Sequence, residues 1–578
     1  MINFNVIGGN VDAVITVENQ WEEEHIYYAD VKMKLAEEQL PEKFSLLWKF
    51  PAKDCFSIWS PSCKTVRNLG PEWLKQVTNA RLASGMPIHT VLSIEGKNKM
   101  TIALSDAVTP TAIATGICEE DAHITCRVDF FTVPVAHLKE YSATIRIDLR
   151  DVAYYDSIYD VVSWWEKECG YKPAGVPEYA KLPMNSLWYS YHQQLDVEDI
   201  LKECRLSKAL GMETVIVDDG WQTDDNSRGY AFCGDWEVAQ KKIPDMKEFV
   251  NRVHDTGMKI MLWYSVPYVG IESKNYPRFK DMLLDETGNN RKYWALDPRY
   301  KEVREFLIKT YSDAVSQWGL DGLKLDFIDS FILKGKSLEY DERRDYLALE
   351  DAIDRLMMDI MKQLREIKPD IMIEFRQSYV GPAIRKYGNI LRVADCPADA
   401  IANRMGVVDL RFTSGNTAVH SDMLMWNYEE PVECAALQIA NVLYAVPQIS
   451  VKIARLNPKH KKMLAYYLRF WIENREVLLE GKVTALHPEG NYSLVCAAKD
   501  GKAIFTAYTE RVIPEGYGDQ IIVVNAGGSE ELILKGYKGA SYEVVNCMGE
   551  EVERGELTES IHPVKVPLAG MLKVCPKI

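Results

Sequence analysis

Over roughly the first 150 residues, apolar and polar positions alternate in short runs broken by turn residues. "SLLWKF", "HTVLSIEG", "HITCRVDFFTV" and "SATIRIDLRD" are β-branched or aromatic stretches of strand length, and they predict an N-terminal β-sandwich. In "YDSIYDVVSWWEKECGY" the period changes. Ile158, Val161, Val162 and Trp165 fall at helical spacing. The proline-containing "KPAGVPEYAKLP" then reads as a stiff connector between domains.

From about residue 183, short apolar runs alternate with amphipathic helices. The predicted strands are "MNSLWYSY", "TVIVDDG", "KIMLWYS", "GLKLDF", "IMIEFR", "NILRVAD", "TAVHSD" and "QISVKI". Between them lie helices such as "VEDILKECRLSKALG", "MKEFVNRVHDTG" and "KEVREFLIKTYSDAVSQWG". Each of these three ends on a glycine placed as a C-cap. Eight β/α units predict a (β/α)8 barrel of the α/β class, with its site at the carboxyl ends of the strands. Strand character returns in "YSLVCAAK", "KAIFTAYTE", "QIIVVNAGG" and "SYEVVNCMG". The predicted domains are therefore a β-sandwich over 1–175, a barrel over 176–481 and an antiparallel β-sandwich over 482–578.

A chain of 578 residues is too long for one core, which fits this division. The net charge of −16 argues against nucleic acid or an acidic membrane as partner and fits a neutral ligand. The amino-terminal stretch has neither a basic segment followed by a long apolar one nor a membrane span. Spacing permits the pairs Cys55/Cys63 and Cys118/Cys126. With 12 scattered cysteines and no C-x-x-C, free thiols in a cytoplasmic protein without zinc are expected instead.

Acids recur where these strands end. Asp218 and Asp219 close "VIVDDG", Lys324 and Asp326 share one strand face by the period of two, and Arg392 and Asp395 close "LRVAD". Strand one brings Trp188 and His192, strand three Trp263 and Tyr264, strand five Glu374 and Arg376. Carboxylates that accept from hydroxyls, beside aromatic faces, suit a sugar, and two carboxyls can split a glycosidic bond. Each residue also has a plainer use. Asp218 suits a helix N-cap, Lys324–Asp326 a salt bridge, the tryptophans a core, and His192, His254 and His420 structural hydrogen bonds. The repetition of acids at strand ends, rather than any one of them, carries the chemical reading.

"DDGW", "GDWEVAQKKIPDMKEFVNRVHDTGMKIMLWYS" and "GLKLDF" resemble the retaining α-galactosidases of glycoside hydrolase family 36, in the clan that includes family 27. The resemblance implies that Asp326 is the nucleophile and Asp395 the general acid/base. It implies sugar contacts for Asp218, Asp219, Lys324, Arg392, Trp236, Trp188 and Tyr264, and Glu374 joins them as a substrate-binding candidate. It also implies no metal or organic cofactor and a glycoside or oligosaccharide as substrate. On this reading Lys324 favours the charge on Asp326, an apolar enclosure raises the Asp395 pKa, and the two carboxyls stand roughly 5–5.5 Å apart.

The chain departs from the family pattern at Ile328, in "EFRQSYVGP" and in "CPAD" after Asp395, while Asp399, His420 and Asp422 have no assigned role. The departures lie where a C2 substituent and an aglycone would sit. Alternatives are therefore an α-N-acetylgalactosaminidase or another α-glycosidase, a transglycosylase, a Schiff-base enzyme using Lys324, and a sugar-binding protein without turnover. A homo-oligomer is compatible with the sequence.

Overall fold

The computed structural model describes residues 2–61, 66–74, 76–285, 291–333 and 340–575. Two six-stranded sheets, paired antiparallel, run from Asn5 to Asp148. Alternation buries one face of each sheet, and Val31, Leu46, Ile102, Val128 and Ile145 share the core. The helix Tyr154–Lys167 follows and buries Ile158, Val161, Val162 and Trp165, the residues its period marks.

The eight predicted barrel strands all form. They are Met184–Ser186, Thr214–Val217, Lys259–Ser265, Gly322–Asp326, Met372–Arg376, Ile390–Arg392, Ala418–His420 and Gln448–Ile449, here strands one to eight. All pairs are parallel, in the order seven-six-five-four-three-two-one-eight. A parallel bridge from His420 to Val446 draws strand seven toward strand eight, so the barrel is nearly closed. Strand one is shorter than its apolar run. Trp188–Tyr191 turns into a helix because Leu187 adopts a helical conformation and its carbonyl accepts from Tyr191 N.

The three helices of the notable glycine endings span Val197–Ala209, Met246–Asp255 and Lys301–Trp318. Gly211, Gly257 and Gly319 lie just beyond them with φ of 87°, 84° and 77°, a conformation that penalises a Cβ. Low in the barrel, Met184, Ile216, Met261, Met372, Ile390 and Ala418 fill the interior. Each large apolar side chain there contributes about 1.5–3 kcal/mol. His254 Nε2 donates to Asp321 Oδ2 at 2.7 Å outside the barrel, a structural histidine as expected.

Lys482–Cys575 forms a seven-stranded and a three-stranded sheet. The pairing is antiparallel except where Lys502–Ala507 lies parallel to Gln520–Asn525 and Val512–Ile513 to Glu531–Lys535. The amino-terminal sheets reach the barrel mouth. Arg81 donates to the carbonyls of Phe331 at 2.7 Å and Asp329 at 2.6 Å, bracing the loop after strand four. Among the described residues every cysteine is free, Cys55, Cys118 and Cys126 included, while Cys63 lies outside them. No helix among the described residues is long and apolar enough to cross a membrane.

Candidate active site

Strand alternation decides which side chains enter the barrel. Met261 points inward, so Trp263 does too, and its Nε1 donates to Asp326 Oδ2 at 3.1 Å. Tyr264 faces the other way, with its ring 5.0 Å from that of Tyr311 on the helix Lys301–Trp318. The expectation that Tyr264 contacts the sugar is corrected; its neighbour Trp263 holds the inner place. Trp236 is buried behind the wall, its ring 4.9 Å from Tyr264 and 6.1 Å from Trp263. Trp188 sits at the rim against His192, with the Arg228 guanidinium 5.8 Å above its ring.

Asp218 caps no helix. Its Oδ2 accepts from Lys324 Nζ at 2.6 Å and its Oδ1 from the Asp219 N–H at 2.9 Å. Burial lowers the Lys324 pKa, but the charges of Asp218, Asp326 and Glu374 together outweigh it and the net direction is upward. Lys324 is therefore an ammonium at neutral pH and not a Schiff-base amine. The direct partner of Asp326 is not Lys324, as the sequence suggested, but Arg376, whose Nε donates to Oδ1 at 2.7 Å. Tyr379 Oη and Phe327 N also donate to Oδ1, each at 2.8 Å. Burial pushes the Asp326 pKa up, yet Arg376, Lys324 and Arg392 together hold it well below the ordinary carboxylate range.

Asp219 is 3% exposed and accepts from Gln193 Nε2 at 2.8 Å and Gln222 Nε2 at 2.6 Å. Burial raises its pKa to about 6.

Arg392 is buried completely and clamps three acids. Nε donates to Glu374 at 3.2 Å, Nη2 to Asp395 at 2.9 Å and Nη1 to Asp422 at 2.5 Å. The expected sugar contact is corrected for Arg392, because its donors are committed inside the protein. Glu374 is corrected for the same reason. It is 1% exposed, and its oxygens go to Arg392 and Gln448.

Asp395 is the open member of the cluster, its side chain 52% exposed. Its pKa does not rise as expected. Partial enclosure pushes upward, but Arg392 and Lys324 outweigh it and the net direction is downward. The charge on Asp326 acts on Asp395 across the mouth.

Several residues of this cluster lay beyond sequence reasoning. Asp422 is buried and accepts from Arg392, Tyr189 Oη and the Cys396 N–H. Tyr379 follows strand five, past the reach of any strand period. Arg376 is placed by sequence with Glu374 at the end of strand five, two residues on along the same strand face, but without a role. His420 is fully buried, bonded to the Ala180 carbonyl at 2.8 Å and Gln448 at 3.0 Å, and burial lowers its pKa to about 4. Asp399 caps the helix Ala400–Thr413 by accepting from Ala402 N at 3.0 Å.

Residues 183–394 match the melibiase family model. That span carries Asp218, Asp219, Lys324, Asp326 and Arg392 and stops one residue short of Asp395. The α-galactosidase Mel36A of Lactobacillus acidophilus is 30% identical over 179 residues, 29% of this chain and 23% of that protein. In sequence, then, the chain matches under a quarter of this relative's length. The crystal structure of the Lactobacillus brevis α-galactosidase has a TM-score of 0.66 at 14% identity, over 100% of this chain and 85% of that one. A variant of the Geobacillus stearothermophilus family 36 α-galactosidase AgaA, solved with raffinose, has a TM-score of 0.67 at 13% identity, over 100% and 87%. Over residues 183–394 the sequence is similar to the melibiase family, and the overall fold is similar to those of the α-galactosidase structures.

Proposed function

We propose that this protein is a retaining α-galactosidase that releases terminal α-linked galactose from oligosaccharides through a covalent glycosyl-enzyme. The observation that carries the reading is the pairing of unlike carboxyls in one barrel mouth. Asp326 is enclosed, and Arg376, Lys324 and Arg392 keep it ionised, whereas Asp395 is half open to the mouth. Asp326 attacks the anomeric carbon, and Asp395 protonates the departing oxygen and later takes a proton from water. The relatives named as α-galactosidases, and the neighbour solved with raffinose, support the choice of galactose and of an oligosaccharide substrate.

Asp218 and Asp219 present acceptor oxygens for the sugar hydroxyls, with Trp263 and Trp188 as aromatic faces. In this reading the mouth belongs to the barrel, assigned to 176–481, flanked by units assigned to 1–175 and 482–578. The free thiols support a cytoplasmic setting.

A panel of aryl α-glycosides varied at C2 and C4, with the product anomer followed by NMR, tests the proposal. α-Galactosides are expected to be the fastest substrates and to give α-galactose first. Preference for a 2-acetamido sugar would move the assignment to an α-N-acetylgalactosaminidase. A β-anomer as first product would end the retaining mechanism.

A further inference from the structure

The two oxygens of Asp326 are treated unequally. Oδ1 accepts from Arg376 Nε at 2.7 Å and from Tyr379 Oη and Phe327 N at 2.8 Å. Among the described residues, Oδ2 accepts only from Trp263 Nε1, at 3.1 Å. Arg376 is itself held. Its Nη1 donates to the Gln377 carbonyl at 2.8 Å, and its guanidinium lies 5.1 Å from the Phe327 ring and 5.5 Å from the Tyr379 ring. Both Arg376 and Tyr379 belong to "EFRQSYVGP", the stretch in which the chain leaves the family pattern.

We propose that Arg376, seconded by Tyr379, is a positioning residue that reserves Oδ2 of Asp326 for attack and makes this carboxylate a weak nucleophile but a good leaving group. Formation of the glycosyl-enzyme, rather than its hydrolysis, then limits turnover. The inference rests on the reading of Asp326 as nucleophile given above.

In the first step an Oδ2 lone pair bonds to C1. The C1–O bond to the leaving group breaks with its electron pair, and that oxygen takes the proton of Asp395. In the second, water bonds to C1 and gives a proton to Asp395, and the C1–Oδ2 pair returns to Asp326. A guanidinium and two further donors on Oδ1 stabilise the free carboxylate more than the neutral ester. The stabilisation is lost in the first step and regained in the second, so it slows one and speeds the other.

The charges facing Asp326 are Arg376 from strand five, Lys324 from its own strand and Arg392 from strand six. Asp395 and Asp329 oppose them, and Tyr230, Tyr268 and Tyr379 are the neighbouring phenols.

The test uses the full chain, as wild type, Arg376→Met, Arg376→Lys and Tyr379→Phe, with aryl α-galactosides of good and poor leaving groups. In wild type, kcat should track leaving-group ability, and intact mass after acid quench should show no glycosyl adduct. In Arg376→Met, the acid limb of kcat, read at saturating substrate so that the weaker binding on Asp219 protonation does not enter, should move up by roughly one pH unit or more. An adduct should accumulate with the activated substrate, and kcat should lose its leaving-group dependence. Arg376→Lys should restore the acid limb. Tyr379→Phe should move both readouts the same way to a smaller extent, and it decides the matter if Arg376→Met does not fold.

A wild type that accumulates adduct, or variants with the wild-type acid limb and leaving-group dependence, would overturn this inference while leaving the α-galactosidase reading intact. A wild type inert to every α-glycoside would overturn the functional reading and this inference with it.

Discussion

Arg376 and Asp326 stand on adjacent barrel strands with Nε and Oδ1 2.7 Å apart, 50 residues distant in the chain. The contact fixes the carboxylate's orientation as well as its charge. Trp263 reaches Oδ2 from the strand on the other side of Asp326. The proposed nucleophile is therefore gripped by both neighbouring strands and has little freedom to turn, which is the preorganisation a displacement at carbon requires.

Asp326→Asn should remove turnover by about 10³-fold or more while galactose still binds. Calorimetric titration of galactose beside a turnover assay checks this. Loss of binding and turnover together would assign Asp326 to structure instead.

Asp395→Asn should lower turnover roughly 10²–10⁴-fold for poor leaving groups and much less for good ones. The wild-type pH profile carries a second expectation. Asp395 must be protonated to act, and in the free protein Arg392 holds its pKa below the ordinary value. A bound sugar covers its exposed side and pushes the pKa up, so the basic limb of kcat should lie at higher pH than that of kcat/KM. Coincident limbs would contradict this role for Asp395.

Asp219 has a raised pKa, about 6 against an ordinary 3.8. Its protonated form is the one the fold favours. The stability it contributes is present below about 3.8 and is lost as pH rises through about 6. Asp219→Asn should flatten that part of the curve by up to about 3 kcal/mol. Galactose affinity in wild type should fall as pH drops below about 6 and the acceptor charge disappears. Melting and binding measured between pH 4 and 7 on both proteins check this pair of signs.

Arg81 ties the amino-terminal sheets to the loop after strand four through two carbonyls. Charged hydrogen bonds of this kind contribute about 1.5–3 kcal/mol each. Arg81→Ala should loosen residues 327–333 and reduce kcat/KM, although Arg81 is not among the groups bonded to Asp326. Amide exchange of that loop, compared with the wild type, measures the effect. Unchanged exchange would show that the brace is idle.

Much of this architecture was written in local patterns. Alternation of period two, helical spacing and glycine C-caps are set by residues a few positions apart, so all eight strands and the helix ends could be read directly. The arrival of Asp218, Lys324, Asp326 and Asp395 at the barrel mouth followed from the same periods.

What the chain alone left open was decided across strands. A parallel strand is apolar on both faces, so "LWY" does not say whether Trp263 or Tyr264 enters the barrel. Register and packing against Tyr311 settle it. Lys324 meets Asp218 from 106 residues away, and Arg392 meets Asp422 from 30. Those encounters turn Arg392 into a buried clamp and reverse the expected shift of Asp395. Charge interactions depend on distances through space, and only the closed barrel sets those distances.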